Sequence, residues 1–239
     1  MSTGLAAIGS DQGLNIRAAT SDGVVDDQGI DAWELKAARR ALTNLRELLY
    51  GEPMRELLKS QVEQADALHR KYLAASDGKW REGQVTLTVT GLTVETFVTF
   101  LRTAFGAFDG SPDQLRQITE SMLFPSHPEH YGMPPYRGVI ETMGGIPTRT
   151  KVQLIETPPD FVTACADASY PIRLAGQGRL EDDTPHSYVL QQFKDTADGL
   201  EANLRIWYPS ACPAQYVDEH IEHYAVEFRN GARIAAAGR

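Results

Sequence analysis

The run HIEHYAVEF, residues 220–228, brings His220, His223 and Glu227 close together in sequence. On a helix, positions three, four and seven apart share a face, so two imidazoles and a carboxylate would point the same way. His223 and Glu227 have the i,i+4 spacing at which two side chains can reach one ion. The same spacing also describes a solvated helix face carrying an imidazole–carboxylate pair worth only about a few tenths of a kcal/mol. A second run, SHPEHY (126–131), holds His127 and His130 in a turn fixed by Pro128, with Pro134 and Pro135 soon after. The chain has six histidines, and four of them fall in these two runs. Metal sites draw ligands from separated segments in this way. A turn whose histidines bond only their own loop is the plainer alternative. In a third run, RGVIETMGG (137–145), alternation puts Arg137, Val139, Glu141 and Met143 on one face of a strand. A carboxylate among apolar neighbours is costly unless it is paired or bound to a cation. On a concave face Glu141 would point into a cavity; on an outer face it would be solvated, and alternation allows both.

The elements that must position these residues can be read from periodicity. Residues 1–29 are small, polar and glycine-rich and read as a flexible arm. Leu35, Ala38, Leu42, Leu45 and Leu49 form one helical stripe, and Met54, Leu57, Leu58, Val62, Ala65, Leu68 and Tyr72 a second. Gly51 and Pro53 interrupt them, which predicts a helical hairpin over 30–78 with an apolar face available for packing or for dimerisation. GQVTLTVTG alternates as a half-buried strand. TVETFVTFLRTAFG reads as a helix capped by Thr93 and stopped at Gly106, and SPDQLRQITESM as one with a capping box at Ser111 and Gln114. Strands are predicted over 137–143, 149–157, 160–167, 171–181, 185–195 and 200–209, with DTADG (195–199) as a hairpin turn. A final helix runs from about 213 to 236.

Consecutive strands with short turns argue for an antiparallel sheet, and a long closing helix packs best on its concave face. The pattern therefore predicts an α+β fold of the Bet v 1-like, or helix-grip, type over 82–239, with a cavity between sheet and helix suited to a small apolar ligand.

Composition limits the partners. The net charge of −9 and pI of about 5.2 argue against a nucleic-acid partner. No stretch is long and apolar enough to span a membrane, and the N-terminus lacks a signal-peptide pattern, so a cytoplasmic setting is expected. Cys165 and Cys212 are the two cysteines, a number that suits a reducing compartment. The two could pair, but nothing requires it.

The order His-Pro-x-x-His, V-I-E-x-x-G-G and a terminal H-x-x-x-E helix resembles the family of 2,4-diacetylphloroglucinol and phloretin hydrolases. These are zinc-dependent Bet v 1-like enzymes that hydrolyse the carbon–carbon bond between a phenolic ring and an acyl group. The resemblance covers about residues 93–235. It implies a metal site of two histidines and two glutamates, which here fall on His130, Glu141, His223 and Glu227. It also implies dimerisation through the N-terminal helices. Zinc suits these ligand types, and iron or manganese would also accept them. The leaving ring needs a proton at carbon, and His127, His186, Tyr131 and Tyr136 are the candidate general acids. His186 follows LEDDTP and is expected at the sheet rim or the surface. Asn230 could support the metal ligands. Trp207 and Tyr208 read as core or cavity wall, and Arg149 and Arg173 as lesser candidates for binding an anionic substrate. The alternative reading is a metal-free polyketide cyclase or small hydrophobic ligand-binding protein of the same fold.

Overall fold

The computed structural model describes residues 16–106, 110–132 and 138–238. It divides into two compact units, Met1–Leu48 and Leu49–Arg239.

In the first unit, β1 (Arg17–Thr20) and β2 (Gly23–Asp26) form an antiparallel hairpin that leads directly into α1 (Asp27–Leu48). The Thr20 hydroxyl donates to the Gly23 carbonyl at 3.0 Å and accepts from the Asp22 N–H at 3.1 Å, closing the turn. Asp26 Oδ1 accepts from the Gly29 N–H at 2.9 Å at the start of the helix. Residues 16–29 are thus a hairpin and a first helical turn rather than a flexible arm; residues 1–15 of that arm lie outside the described residues. Leu35 and Leu45 of the expected apolar stripe are exposed, as are Trp33 and Leu48. The helix pair expected over 30–78 is split between the two units.

The second unit opens with α2 (Glu52–Ser76) and then β3 (Trp80–Thr90). Next come α3 (Val94–Gly106) and α4 (Pro112–Ile118), followed by a π-helical turn (Thr119–Leu123) and a short helical turn, α5 (Phe124–Ser126). The remaining elements are β4 (His130–Gly132), β5 (Gly138–Met143), β6 (Ile146–Leu154), α6 (Asp160–Thr163), β7 (Ile172–Arg179), β8 (Pro185–Asp195), β9 (Gly199–Pro209) and α7 (Ala214–Ala237). β3 through β9 form one curled seven-stranded antiparallel sheet in the order β3-β9-β8-β7-β6-β5-β4. The unit is α+β, with α7 packed on β3 and β9 and against α3 and α5.

Local chemistry explains most of these boundaries. Ser111 and Gln114 form the expected capping box. Gly144 and Gly145 both have positive φ, 59° and 77°, as a two-residue hairpin turn between β5 and β6 requires. A Cβ on Gly144 would also collide with the Tyr216 ring, so close packing excludes a larger residue there. The core lies between sheet and helix. Phe193, Leu200, Leu204 and Ile206 meet Tyr216, Tyr224 and Phe228 of α7 there.

Three sequence expectations are corrected. Residues 160–167 form no strand. Asp160–Thr163 is a helical turn in which Val162 N–H and Thr163 N–H bond back to the Pro159 carbonyl, and Val162 packs on Tyr188, Leu190 and Trp207. The strand β4 was not foreseen, because three residues are too few to show alternation. The helix from Ser111 does not end near residue 122. It widens into the π turn and runs on to Ser126, where Pro125 has no N–H to return along the helix. Both cysteines are free. Among the described residues, no helix is long and apolar enough to cross a membrane.

Candidate metal centre

All six histidines of the chain are buried. An unpaired imidazole is costly to bury, so their arrangement is informative. They fall into two groups.

The first group gathers the chemistry-bearing segments read from the sequence. β4 and β5 pair antiparallel with His130 directly opposite Glu141. Directly opposed residues project from the same face of a sheet, so these two side chains leave it together. α7 supplies His223 and Glu227 from one helical face. Four donor atoms converge there. His130 Nε2 lies 3.1 Å from His223 Nε2 and 3.4 Å from Glu141 Oε2. His223 Nε2 is also 3.4 Å from Glu141 Oε2. Glu227 approaches with one oxygen 3.8 Å from His130 Nε2 and the other 3.9 Å from His223 Nε2. His127, on the loop before β4, stacks on His223 with ring centroids 3.6 Å apart and planes 23° apart. Ring nitrogens of His127, His130 and His223 all lie within 4.8 Å of one another, so these three buried histidines could bind a metal ion.

The backbone around the π turn fixes the His130 tautomer. His130 Nδ1–H donates to the Leu123 carbonyl at 2.8 Å, which leaves the Nε2 lone pair facing the cluster. Ser126 Oγ also donates to that carbonyl at 2.7 Å. Asn230 Nδ2 donates to the Ser126 carbonyl at 2.9 Å and so ties α7 to α5. Asn230 therefore acts on the cluster through the α5 backbone and not by touching a histidine. His223 Nδ1 has no hydrogen-bond partner among the described residues, and its ring is held by stacking between His127 and His220.

The electrostatics follow from burial and crowding. Burial presses the His130 pKa down, but its bond to Glu141 and the nearby Glu227 outweigh burial, and the net shift is upward. Burial and three neighbouring imidazoles hold His223 well below the ordinary histidine range. Burial pushes the Glu227 carboxyl up to about 7, against the pull of His130.

The other candidates lie elsewhere. Tyr131 follows His130 and so faces the opposite side of the sheet, where its hydroxyl meets Thr142 Oγ1 at 3.1 Å and its ring packs near Met54, Leu58 and Ile140. It does not reach the cluster. Tyr136 lies outside the described residues. His186 is fully buried at the start of β8, not at the rim or the surface. Its Nε2 is 3.2 Å from Thr150 Oγ1, and its ring lies 4.5 Å, centroid to centroid, from that of His69. Burial holds His186 well below the usual histidine value and His69 at about 4, so both rings are neutral.

His69 was not singled out in the sequence, although the signal was present. It falls on the buried stripe of α2, between Ala65 and Tyr72. Both of its ring nitrogens lack partners among the described residues. His220, which shares a helical face with His223, turns to Tyr208 instead, with its Nδ1 3.0 Å from the tyrosine hydroxyl.

No family model and no curated protein matches the chain. Solved structures similar to part of it include two from rhizobia. One is a protein from Mesorhizobium loti, at 9% identity and a TM-score of 0.36, with 66% of this chain and 99% of that one covered. The other is an uncharacterized protein from Rhizobium leguminosarum, at 12% identity and a TM-score of 0.32, with the same coverage.

Proposed function

We propose that the chain is a metal-dependent hydrolase that cleaves the carbon–carbon bond between an acyl group and a phenolic or polyketide-like ring. The supporting observation is the convergence of His130, Glu141, His223 and Glu227: the two Nε2 atoms lie 3.1 Å apart, and each is 3.4 Å from Glu141 Oε2 and 3.8–3.9 Å from a Glu227 oxygen. Corners of a tetrahedron with bonds of about 2.0–2.1 Å lie about 3.3 Å apart, so these spacings fit a zinc-sized ion. Two carboxylates and two neutral imidazoles would carry two negative charges, which a dication neutralises. The mixed set is favoured over the three histidines by ring geometry. Imidazole lone pairs lie in the ring plane, and the stacked planes of His127 and His223 do not meet within bonding reach of both rings. We further propose that the architecture is Bet v 1-like, in line with a curled antiparallel sheet that holds a long C-terminal helix.

Bound there, a zinc-type cation supplies Lewis acidity and a water acidified toward neutral pH. The chain's residues do the rest. The overall reaction consumes one water and yields the deacylated ring and a carboxylic acid, so the departing ring carbon must gain a proton. His127 fits that role best among the candidates. Its Nδ1 accepts the Glu129 N–H at 3.1 Å, which leaves the proton on Nε2 of a ring stacked against His223. His186 is held neutral beside Thr150, and Tyr131 is engaged by Thr142 on the other face of the sheet.

Metal analysis of protein purified without a histidine tag tests this reading. The expected result is about one zinc per chain, lost in His223→Ala and Glu227→Ala, together with release of the acid and the free ring from an acylphloroglucinol. Absence of stoichiometric metal under replete conditions would sink the proposal.

A further inference from the structure

A pocket opens beside the cluster, between α3, the π turn and α7. Its empty volume is about 610 Å³, part of it open to solvent. Its walls are apolar: Phe97, Phe100, Leu101, Ile118, Met122 and Phe228. Polar side chains are confined to Ser126, Gln191 and Glu227 among the described lining residues. Ser126 and Glu227 both belong to the metal-centre assembly, since Ser126 Oγ lies 3.2 Å from His130 Nδ1 and Glu227 faces both ring nitrogens. The pocket is therefore an apolar chamber with the four converging donors beside its polar end.

We propose that this chamber receives the acyl side of the substrate, and that this acyl group is a long apolar chain in place of acetyl. The assignment rests on the hydrolase reading for the position of the carbonyl head. The size argument comes from the chamber itself. Large apolar side chains line it, and the single methyl carbon of an acetyl group is too small to contact more than a part of them. The wall chemistry agrees, because three phenylalanines, a leucine, an isoleucine and a methionine offer a phenolic ring's hydroxyl groups no hydrogen-bond partner. The ring is thereby directed away from this side. The π turn that lines the chamber also fixes His130 through the Leu123 carbonyl, so one local irregularity shapes both tail pocket and ligand geometry.

Titration calorimetry with acetate and octanoate, two acids of the class the reaction would release, tests the assignment without turnover. Zinc-loaded and zinc-stripped protein are compared, with Gly231→Val and Ala104→Phe as pocket-filling variants. A Cβ on Gly231 would sit 3.1 Å from the Phe100 ring, so the valine side chain projects toward the chamber wall. Octanoate carries six methylenes that acetate lacks, and each is worth about fourfold when buried. Zinc-loaded protein is therefore expected to bind octanoate at least a hundredfold tighter than acetate. Both variants are expected to cut that preference tenfold or more while keeping zinc stoichiometry and acetate affinity. Equal affinity for the two acids in zinc-loaded protein would overturn the chamber assignment, and acetate's response to zinc would still report on the metal reading. Affinities for both acids that do not change on zinc loading would support the apolar chamber but overturn the placement of the head group on a metal. A preference unchanged in both variants would put the tail elsewhere and overturn the assignment.

Discussion

Replacing Glu227 with glutamine separates a metal centre from a buried ion-pair network, because the two predict opposite signs. The substitution keeps volume and hydrogen-bonding shape and removes one charge. In wild type, zinc at a thousandfold over its Kd stabilises the folded state by about 4.1 kcal/mol. For a unit of this size each kcal/mol moves Tm by roughly 2–4 °C, so zinc is expected to raise Tm by about 8–16 °C. Loss of a ligand weakens binding at least as much as loss of a residue that supports one, about a hundredfold. The same zinc concentration then leaves about 1.4 kcal/mol, or about 3–6 °C. The metal-stripped comparison carries the contrast. Burial holds the Glu227 carboxyl at about 7, so above that pH the wild-type chain keeps a charge in an unfavourable setting that the variant lacks. Stripped Glu227→Gln protein is thus expected to melt at or above stripped wild type at pH 8. An ion-pair network held by Glu227 would lose stability on the same change, with no response to zinc in either protein. Differential scanning calorimetry on the four samples reads this directly. A stripped variant less stable than stripped wild type, together with a flat zinc response, would refute the reasoning.

The remaining predictions use other handles. Glu227 has a folded pKa of about 7 against 4.5 when free, so its contribution to metal-stripped stability is full below pH 4.5 and is lost as pH rises through about 7. Melting of stripped protein across that window should show this decline and Glu227→Gln should flatten it, whereas zinc-loaded protein should lose stability as acid competes for the ligands. His69 is fully buried with both ring nitrogens unpartnered among the described residues, and a buried unsatisfied group costs about 1–3 kcal/mol. His69→Leu should therefore raise the stability measured by urea titration by about 1 kcal/mol, and a loss of that size would mean the ring is satisfied by a bound molecule. Among the described residues the β4–β5 ladder holds two Cα pairs with a register shift between them, so hydrogen exchange in 123–132 and 138–143 should slow on zinc addition while β9 is unaffected. Equal slowing in β9 would show global stabilisation instead of a local clamp.

Legibility in the sequence followed element length and periodicity. β8 and β9, eleven residues each, showed their strand character in full, and α7 matched its expected span within a residue or two because its apolar positions repeat over many turns. Local chemistry was equally readable where one residue type decides the outcome, as at the Ser111 capping box and the DTADG turn between β8 and β9. Short elements were not readable. β4 is three residues long, yet its pairing is what sets His130 against Glu141 within a short stretch of chain. The segment 160–167 failed for the opposite reason, since its apolar residues suit a strand until Pro159 and the turn bonds onto its carbonyl are taken into account. Burial was the harder quantity. A proline turn before His186 suggested the rim, but strand β8 enters the core at once, and the neighbours that enclose His186 come from β6 and α2, far away in sequence.

The cluster is more demanding of its surroundings than a pair of ligand motifs would suggest. Two of its donors ride on a hairpin, and the other two on a helix that meets that hairpin only through tertiary packing. Hairpin and helix are registered by two polar contacts to α5 and the π turn, Asn230 to the Ser126 carbonyl and His130 to the Leu123 carbonyl. Each contact also satisfies a buried polar atom, so neither can be broken without a cost of about 1–3 kcal/mol. What they hold in place is a set of groups that, in the metal-bound state proposed above, would turn two imidazole lone pairs and two carboxylates toward one cation. A single proton can bridge only one pair of these atoms, whereas a dication at the centre faces all four. On the proposed reading, Asn230→Ala is therefore expected to weaken zinc binding without touching a ligand, because it loosens the α5 backbone at Ser126, whose Oγ lies next to His130.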